Sequence, residues 1–282
     1  MNYNYSVLMA VYNGDKSDFL KIAIDSMLNQ TIPPEQYVIV VDGRISKDLE
    51  DVLSDYEKNS IFTIVYLKEN SGLANALNVG LTYCRNELVA RMDADDISLS
   101  TRCEEELRLF GQYNDLTVCG CNIDEFYDDL DDIHTTRRVP SDYDDIRRFA
   151  RIRQPFNHPT VMYKKETIIN LGGYPDTKRK EDFDLFSRVI LSGKYVRNID
   201  SSLYLYRANK NNYVRRKSKE NLKAAFKVYK LHQKRGGCNM FEYIIMCSGE
   251  IVFYLLPLSM MKYISDVLLR RKYNGKRDST LF

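Results

Sequence analysis

Short apolar runs alternate with segments of helical periodicity through the first third of the chain, and this alternation limits the possible folds most strongly. Four runs of five or six residues are typical of buried strands, and they lie at 6–11, 37–41, 62–67 and 87–92. Apolar residues recur at helical spacing between them, within 19–28, 49–56 and 73–81. Strands joined by helical crossovers predict an α/β fold with a mostly parallel sheet and helices on both faces.

Three of these strands end in polar residues, at 12–14, 42–43 and 93–96. Ligands bind beyond the carboxyl ends of the strands in open parallel sheets, so we expect a site there. The three carboxylates within 93–96 repel one another, and a hard divalent cation such as Mg²⁺ or Mn²⁺ would neutralise them. A solvated acidic turn is the alternative, and the acidic run 128–132 illustrates it. Asp42 is placed to accept hydrogen bonds from a ribose or a base, although an Asp-Gly turn needs no ligand.

The second half of the chain holds further candidates in less regular surroundings. Glu181 and Asp182 precede an apolar helical face, where a carboxylate either acts as a general base or simply complements the helix dipole. His158 stands alone before a strand that we expect at 159–163, and a structural role suits it by itself. The basic segment 207–219 is either a loop that closes over phosphates or a solvated linker.

The composition fits a globular protein, with 44% hydrophobic and 28% charged residues among 282, and it excludes collagen-like, disordered and polytopic membrane chains. The net charge of +2 hides a division along the chain. From residue 207 onward there are 17 Lys and Arg against 5 Asp and Glu, which leaves 24 and 34 of the totals of 41 and 39 for the preceding residues. We therefore expect the basic tail to meet an anionic partner.

Residues 240–269 are strongly apolar, but charged residues and a proline interrupt them. A spanning helix needs about 20 apolar residues with few charges, so we expect amphipathic helices on a membrane surface. Basic residues at 270–272 and 276–277 would then hold anionic headgroups. The alternative is a helical hairpin that packs on the body of the protein or on a second copy of the chain, which would make a homo-oligomer.

Taken together, the motifs resemble those of family 2 glycosyltransferases, the inverting enzymes of the GT-A fold. The resemblance runs from residue 6 to about residue 207, and the order and spacing of the motifs make it specific. The matching motifs lie at 6–13, 26–31, 41–43, 70–78, 91–96, 172–174 and 181–182. The bacterial enzymes that assemble O-antigen, capsule or exopolysaccharide repeat units are the most similar type. No G-x-G-x-x-G follows the first strand and no P-loop occurs, so a dinucleotide-binding or P-loop protein is not expected.

The resemblance implies a role for each candidate residue. Asp182 would be the catalytic base, with Glu181 beside it at the acceptor. Asp95 would be the main metal ligand, for Mn²⁺ or Mg²⁺ on the donor diphosphate, while His158 and Arg207 would contact the diphosphate or the acceptor. The residues that would bind the nucleotide sugar are Ala10, Tyr12, Asn13, Asp42, Asn70, Gly72, Asp93 and Ala94.

The expected organisation is a GT-A domain at 1–217, with a nucleotide-binding half at about 1–98 and an acceptor-binding half at about 99–217, followed by a helical region at 218–282. The resemblance implies transfer of a hexose from a nucleotide sugar, and UDP-glucose or UDP-galactose is the expected donor, followed by the UDP-N-acetylhexosamines. The basic, apolar tail predicts a polyprenyl-diphosphate-linked saccharide as the acceptor. The protein would be peripheral, at the cytoplasmic face of the inner membrane, and no nucleic acid is expected as a partner.

Two other functions share part of this pattern. A sugar-phosphate nucleotidyltransferase has a similar layered design and an acidic metal site, but it should carry a glycine-rich basic loop after the first strand, which 12–15 does not supply. A non-catalytic nucleotide-sugar-binding protein is the second alternative. The intact acidic motifs at 93–96 and 181–182 argue against it.

Overall fold

The computed structural model describes residues 4–127, 133–177, 179–208, 217–257, 260–261 and 271–272. The acidic run 128–132 and the centre of the basic segment, at 209–216, lie outside the described residues. Parts of the apolar stretch, at 258–259 and 262–269, and the basic residues 270 and 276–277 lie outside them as well. For these segments, the sequence expectations remain predictions.

The first third of the chain forms the parallel half of the sheet, as predicted. Its strands are β1 (Tyr5–Val11), β2 (Gln36–Val41), β3 (Phe62–Tyr66) and β4 (Leu88–Met92), connected by α1 (Ser17–Leu28), α2 (Lys47–Glu57) and α3 (Leu73–Tyr83). They lie in the order β3-β2-β1-β4, and every neighbouring pair is parallel. Helices cover both faces of the sheet. Leu8 and Met9, which are adjacent on β1 and point to opposite faces, accordingly belong to two separate core clusters. This double burial explains why the strands are continuous apolar runs.

The middle of the chain extends the sheet with antiparallel pairs. Its elements are β5 (Ile97–Ser98), α4 (Arg102–Gln112), β6 (Leu116–Phe126), β7 (Ile133–Arg137), α5 (Tyr143–Ala150), β8 (Met162–Lys164), α6 (Lys165–Asn170), α7 (Glu181–Leu191) and β9 (Tyr195–Arg207). Strand β8 lies between β4 and β6 and is antiparallel to both. Strand β6 also pairs with β7, antiparallel, and with β9, parallel. The β8 insertion carries the segment before it to the edge where β4 ends.

The strand expected at 159–163 begins later, at Met162. A 3-10 helix occupies His158–Thr160 instead, with Pro159 in its first turn. The fixed φ of proline suits a helical turn, and the Thr160 N–H donates to the Asn157 carbonyl at 2.9 Å. The turn therefore overrides the apolar character of the segment, and it sets the position of His158.

The C-terminal region is a helical pair that packs on the body. Helix α8 (Lys219–Lys234) and helix α9 (Met240–Leu255) contact α7 through a small core cluster. The members of that cluster are Phe183, Ala225, Val228, Tyr229, Cys238 and Met246. Of the two interpretations from sequence, the hairpin on the body describes the inner face of this pair.

The outer face of α9 carries apolar side chains into solvent, and we call this set the α9 outer face. Its members are Met240, Phe241, Ile244, Ile245, Ile251, Val252 and Leu255, all between 41% and 71% exposed. Within the described part of the chain, none of the helices has the length and hydropathy that a bilayer crossing requires. The basic segment expected at 270–272 contributes a two-residue strand, β10 (Arg271–Lys272), which pairs antiparallel with β7.

Candidate active site

The carboxyl ends of β1, β2 and β4 lie along one edge of the sheet, because these strands are adjacent and parallel. Tyr12 and Asn13 follow β1 and are exposed, and the Tyr12 N–H donates to Asp15 Oδ2 at 2.9 Å. Ala10 lies two residues earlier on β1 and is half-buried. Asp42 follows β2, and the acidic run follows β4. The three polar strand ends predicted to form one site therefore share one edge.

Asp42 organises the loop that precedes α3. Its carboxylate accepts the N–H groups of Ser71, at 2.7 Å, and Gly72, at 2.9 Å, and its carbonyl accepts the Asn70 amide at 3.1 Å. Gly43 allows the close approach, since a Cβ there would lie 2.6 Å from the Asn70 nitrogen. Asp42 is buried, so its first role is to join the end of β2 to residues 70–72. The sequence analysis predicts that Asp42, Asn70 and Gly72 bind the nucleotide sugar, but it does not predict the hydrogen bonds that join them.

Asp93, Asp95 and Asp96 form a compact acidic group, which we call the strand-end cluster. One carboxylate oxygen from each can be chosen so that all lie within 4.8 Å of one another. Burial and the neighbouring Asp93 raise the pKa of Asp95 to about 6. Burial and the other two carboxylates raise the pKa of Asp96 well above its usual value. Burial is the larger cause of both shifts, and repulsion between the carboxylates adds to it. Ala94, between Asp93 and Asp95, is buried in the core.

Arg207 supports the strand-end cluster from the end of β9. Its backbone N–H donates to Asp96 Oδ1 at 2.7 Å, and its Nε donates to the Asp95 carbonyl at 2.9 Å. The guanidinium carbon lies 3.7 Å from the ring centroid of Phe19 and 4.5 Å from that of Phe126. Arg207 was expected to contact a diphosphate or an acceptor, and the structure gives it these internal partners.

Arg91 and Tyr204 reach the same cluster, and sequence reasoning did not single them out as site residues. The buried Arg91 pairs through Nη2 with Asp93 Oδ1 at 2.5 Å. The Asp93 N–H donates to the hydroxyl of Tyr204 at 3.3 Å. A charged residue inside the apolar strand β4 was the available signal for Arg91, since a buried charge needs a partner. Tyr204 is 111 positions from Asp93, and nothing local identifies it.

His158 is buried beside the site and is held by Tyr174. Its Nε2 lies 3.0 Å from the Tyr174 hydroxyl, and Tyr174 exchanges two backbone-to-side-chain hydrogen bonds with Asn78, both 2.8 Å. Burial and the charge of Arg91 lower the pKa of His158 to about 3, so the ring is neutral at neutral pH. A neutral imidazole still has one N–H donor and one acceptor nitrogen, so a contact of His158 with the diphosphate or the acceptor stays a prediction.

Glu181 and Asp182 open helix α7, and we call them the helix-start cluster. Burial and Asp182 raise the pKa of Glu181 to about 7. Burial also acts to raise the pKa of Asp182, but His158, the Gln154 amide, the Phe183 N–H and Lys180 outweigh it and lower that pKa. The Phe183 N–H donates to Asp182 Oδ1 at 2.8 Å. Asp182 is therefore ionised at neutral pH, whereas Glu181 titrates close to neutral pH.

The two clusters lie in one electrostatic neighbourhood. The charges of both Asp182 and Asp93 act on His158. The Arg91 guanidinium acts in turn on Asp95 and on Glu181. Residues about 90 positions apart in sequence therefore lie close enough for their charges to act on the same groups.

The donor set of the strand-end cluster fits a divalent cation of the Mg²⁺ or Mn²⁺ type. Carboxylate oxygens are the ligands that these hard ions prefer. A cation would also offset the repulsion between the carboxylates, which adds to burial in raising the pKa values of Asp95 and Asp96. Such a group can bind metal-associated phosphates, whereas the helix-start cluster offers one ionised carboxylate for proton removal.

The chain matches the family model "Glycosyl transferase family 2" over residues 6–171. It is 33% identical over 262 residues to the amylovoran biosynthesis glycosyltransferase AmsE of Erwinia amylovora, covering 93% of this chain and 98% of that protein. It is 31% identical over 271 residues to an Escherichia coli UDP-Gal:alpha-D-GlcNAc-diphosphoundecaprenol beta-1,3-galactosyltransferase, covering 95% and 97% of the two chains.

Solved structures support the fold. The mannosyltransferase PcManGT from Pyrobaculum calidifontis, in complex with GDP-Man and Mn²⁺, superposes with a TM-score of 0.64 at 15% identity, covering 94% of this chain and 75% of that one. Residues 1–349 of Staphylococcus aureus TarS, in complex with UDP-GlcNAc, superpose with a TM-score of 0.61 at 16% identity, covering 93% and 70%. The expected α/β architecture of the GT-A type is thereby confirmed. The chain belongs to glycosyl transferase family 2.

Proposed function

We propose that this glycosyltransferase moves a hexose from a UDP-sugar to a hydroxyl of a polyprenyl-diphosphate-linked saccharide, with inversion at the anomeric carbon, in the assembly of a bacterial surface polysaccharide. The observation that carries the proposal is the juxtaposition of the two acidic clusters, since Asp93 and Asp182 act on the same buried His158. The E. coli relative, named for UDP-Gal and a diphosphoundecaprenol acceptor, supports this substrate class. UDP-glucose and UDP-galactose are the proposed donors.

The donor lies along the edge where β1, β2 and β4 end. Ala10, Tyr12 and Asn13 line the base, and Asp42, through the 70–72 loop that it holds, borders the ribose. Asp93 and the backbone of Ala94 adjoin the sugar. Asp95 is the proposed main ligand of Mn²⁺ or Mg²⁺, and the bound ion would supply positive charge where the nucleoside diphosphate leaves. The ion pair between the Arg91 guanidinium and Asp93, at 2.5 Å, supports this arrangement.

Asp182 is the proposed general base. It removes the proton of the acceptor hydroxyl while that oxygen attacks the anomeric carbon from the face opposite the diphosphate, and the diphosphate leaves with the bonding electrons. Its lowered pKa keeps Asp182 ionised at neutral pH. Glu181, whose pKa is raised to about 7, is proposed to hydrogen-bond the acceptor saccharide. In-line displacement converts an α-linked donor into a β-linked product.

The surface of the C-terminal helices suits contact with a membrane, where a lipid-linked acceptor would lie. The α9 outer face exposes apolar side chains, and the polar side of α8 carries Lys223, Lys227 and Lys230. Apolar and basic groups on neighbouring helices suit an interface rich in anionic lipids. We therefore propose peripheral attachment at the cytoplasmic face of the inner membrane, where a lipid-linked acceptor would be held.

The donor and the stereochemistry are tested together with the full chain. UDP-glucose, UDP-galactose, UDP-N-acetylhexosamines and GDP-mannose are each offered with Mn²⁺ and a lipid-diphosphate GlcNAc acceptor, and the product is analysed by NMR. We expect a β-linked product from one of the UDP-hexoses. A retained α-linkage would contradict the in-line mechanism, and transfer from GDP-mannose alone would contradict the donor class.

Membrane attachment is tested by flotation with vesicles of phosphatidylcholine, with and without phosphatidylglycerol. We expect flotation with the anionic vesicles and its loss in Phe241→Ser, which removes a 70% exposed ring from the α9 outer face. Ile169→Ser is the matched control, because Ile169 is 46% exposed on α6 of the body. Equal flotation of the two variants would remove α9 from this role.

A further inference from the structure

Lys180 immediately precedes the helix-start cluster and holds an uncommon backbone conformation. Its φ of 63° and ψ of 21° are left-handed, and among the described residues the other positive φ angles belong to glycines. A residue with a Cβ adopts this conformation rarely, and it persists where the surroundings hold it. The Asp184 N–H donates to the Lys180 carbonyl at 3.1 Å, so this residue fixes where α7 begins.

Groups that hold Lys180 come from the C-terminal helices. Its Nζ lies 2.5 Å from Glu250 Oε1 on α9, and the Tyr229 hydroxyl on α8 donates to the same oxygen at 2.7 Å. The ammonium also lies 5.6 Å from the ring centroid of Tyr229. Burial opposes the charge on Lys180, but Tyr229 and Glu250 outweigh it and raise the pKa of Lys180. The ion pair is thus built into the contact between the helical pair and the body.

The same helical pair contacts the rest of the first half of α7. Arg235 Nη1 lies 2.5 Å from Asp184 Oδ1, and His232 Nδ1 lies 2.5 Å from the Ser187 hydroxyl. The ring of Phe183 meets the rings of Tyr229 and His232 edge-on, with centroids 5.5 and 5.1 Å away. The helix that carries Glu181 and Asp182 therefore packs against the C-terminal region through Phe183, Asp184 and Ser187.

We propose that Glu250 and Tyr229 are positioning residues, which hold Lys180 in its left-handed conformation and thereby orient Asp182 toward the acceptor. The C-terminal helical pair is then part of the support of the active site as well as a candidate membrane surface. This inference rests on the proposed function, in which Asp182 is the base. It concerns kcat and leaves the donor edge of the sheet unaffected, since among the described residues the hydrogen bonds of Glu250 and Tyr229 do not reach that edge.

Glu250→Gln and Glu242→Gln form a matched pair. Glu242, also on α9, binds Arg151 through both carboxylate oxygens at 2.6 Å, so it too joins the hairpin to the body, but away from Lys180. Glutamine can keep the capping interaction of Glu242 with Asn239. We expect Glu250→Gln to lower kcat about tenfold, with the donor KM changed less than about twofold, because small misplacements of a reacting group are costly. Equal kcat in the two variants would overturn the proposal.

Lys180→Ala and Lys180→Gly separate the backbone from the ion pair. Both remove the ammonium, but glycine adopts a positive φ readily whereas alanine does not. We expect Lys180→Gly to retain at least about threefold more kcat than Lys180→Ala, since the turn forms without strain. Equal loss in both would show that the left-handed conformation is irrelevant.

Melting temperature and nucleotide affinity are measured for every variant, and Tyr229→Phe, which keeps the ring and loses the hydroxyl, replaces Lys180→Ala if that variant does not fold. With Tyr229→Phe we expect a lower kcat at unchanged donor KM, and an unchanged kcat would count against the proposal. Asp182→Asn is assayed in parallel. If Asp182→Asn keeps full turnover, the proposed base is wrong; if only Asp182→Asn is impaired, the base stands and the positioning role falls.

Discussion

The strand-end cluster and the helix-start cluster carry the same kind of side chain, but the protein builds them differently. Asp93, Asp95 and Asp96 crowd together at the end of β4, and crowding with burial raises the pKa of Asp95 and of Asp96. Glu181 and Asp182 open a helix, and their pKa values move in opposite directions. A strand end followed by a tight turn collects like charges. At the start of α7, neighbouring groups lower the pKa of Asp182, while burial and the Asp182 charge raise the pKa of Glu181.

This difference indicates a division of labour. A group of carboxylates with raised pKa values gains from a cation, so the strand-end cluster suits metal and phosphate binding. A carboxylate that remains ionised beside one that titrates near neutrality suits proton removal and hydrogen bonding to a substrate. Substitutions in the first cluster should therefore affect donor binding, and substitutions in the second should affect turnover.

The largest effect is expected for Asp182→Asn. We predict a loss of about 10³-fold in kcat, within the range typical of general base catalysis, with nucleotide affinity unchanged. Initial rates with saturating donor and calorimetry with UDP measure the two quantities. Asp51→Asn is the control, because Asp51 lies on the exposed surface of α2 and pairs only with Lys47 among the ion pairs described. A turnover close to that of the control would reassign the base.

Asp95→Asn should give the complementary result. We predict that it weakens Mn²⁺-dependent UDP binding by at least about tenfold, since even partners that merely orient metal ligands are worth roughly 10–100-fold. Calorimetry in Mn²⁺ and in EDTA separates this effect from direct nucleotide contacts. EDTA should abolish transfer by the native chain, and added Mn²⁺ or Mg²⁺ should restore it. Full activity in EDTA would contradict the assignment of metal binding to the strand-end cluster.

Glu181→Gln tests the second cluster through stability. The folded pKa of Glu181 is about 7, above its ordinary value of 4.5, so the native state binds this proton more tightly and loses stability as pH rises between those values. Glutamine removes the loss. We expect the melting temperatures of variant and native chain to agree near pH 4.5 and the variant to be stabilised by about 1–3 kcal/mol at pH 8. That corresponds to about 2–4 °C for each kcal/mol.

Asp182 should behave in the opposite sense in the same experiment. Its folded pKa is lowered, so ionised Asp182 contributes stability above its ordinary pKa and loses it as pH falls through the lowered value. Asp182→Asn should therefore melt lower than the native chain at pH 7. A variant of either residue that melts like the native chain at every pH would contradict the opposed shifts.

The sequence predicted the members of the strand-end cluster better than the residues that hold them in place. Strands β1 to β4 are visible in the sequence as apolar runs. Because the carboxyl ends of parallel strands meet at one edge of the sheet, Asp42 and Asp95 could be predicted to lie at the same site. The partners that fix these groups are distant in sequence, such as Tyr204 for Asp93 and Arg207 for Asp96. Lys180 is a clearer example of a residue held by a distant partner. In our proposal its left-handed conformation depends on Glu250, which lies 70 positions later and which no local pattern indicates. Long-range packing, and not propensity, decides such contacts.

The smallest effect is expected for Tyr204→Phe, which tests a residue that supports the strand-end cluster. The hydroxyl accepts a long hydrogen bond from the Asp93 N–H, at 3.3 Å, and it lies among the charges of Asp93 and Asp96. Losing one such bond costs about 0.5–1.5 kcal/mol, so the donor KM should rise roughly two- to tenfold. Turnover at saturating donor should not change, because the helix-start cluster does not depend on this hydroxyl. Tyr83→Phe, on an exposed ring, controls for the substitution itself. A drop in kcat without a change in donor KM would mean that the two clusters do not divide the reaction in this way.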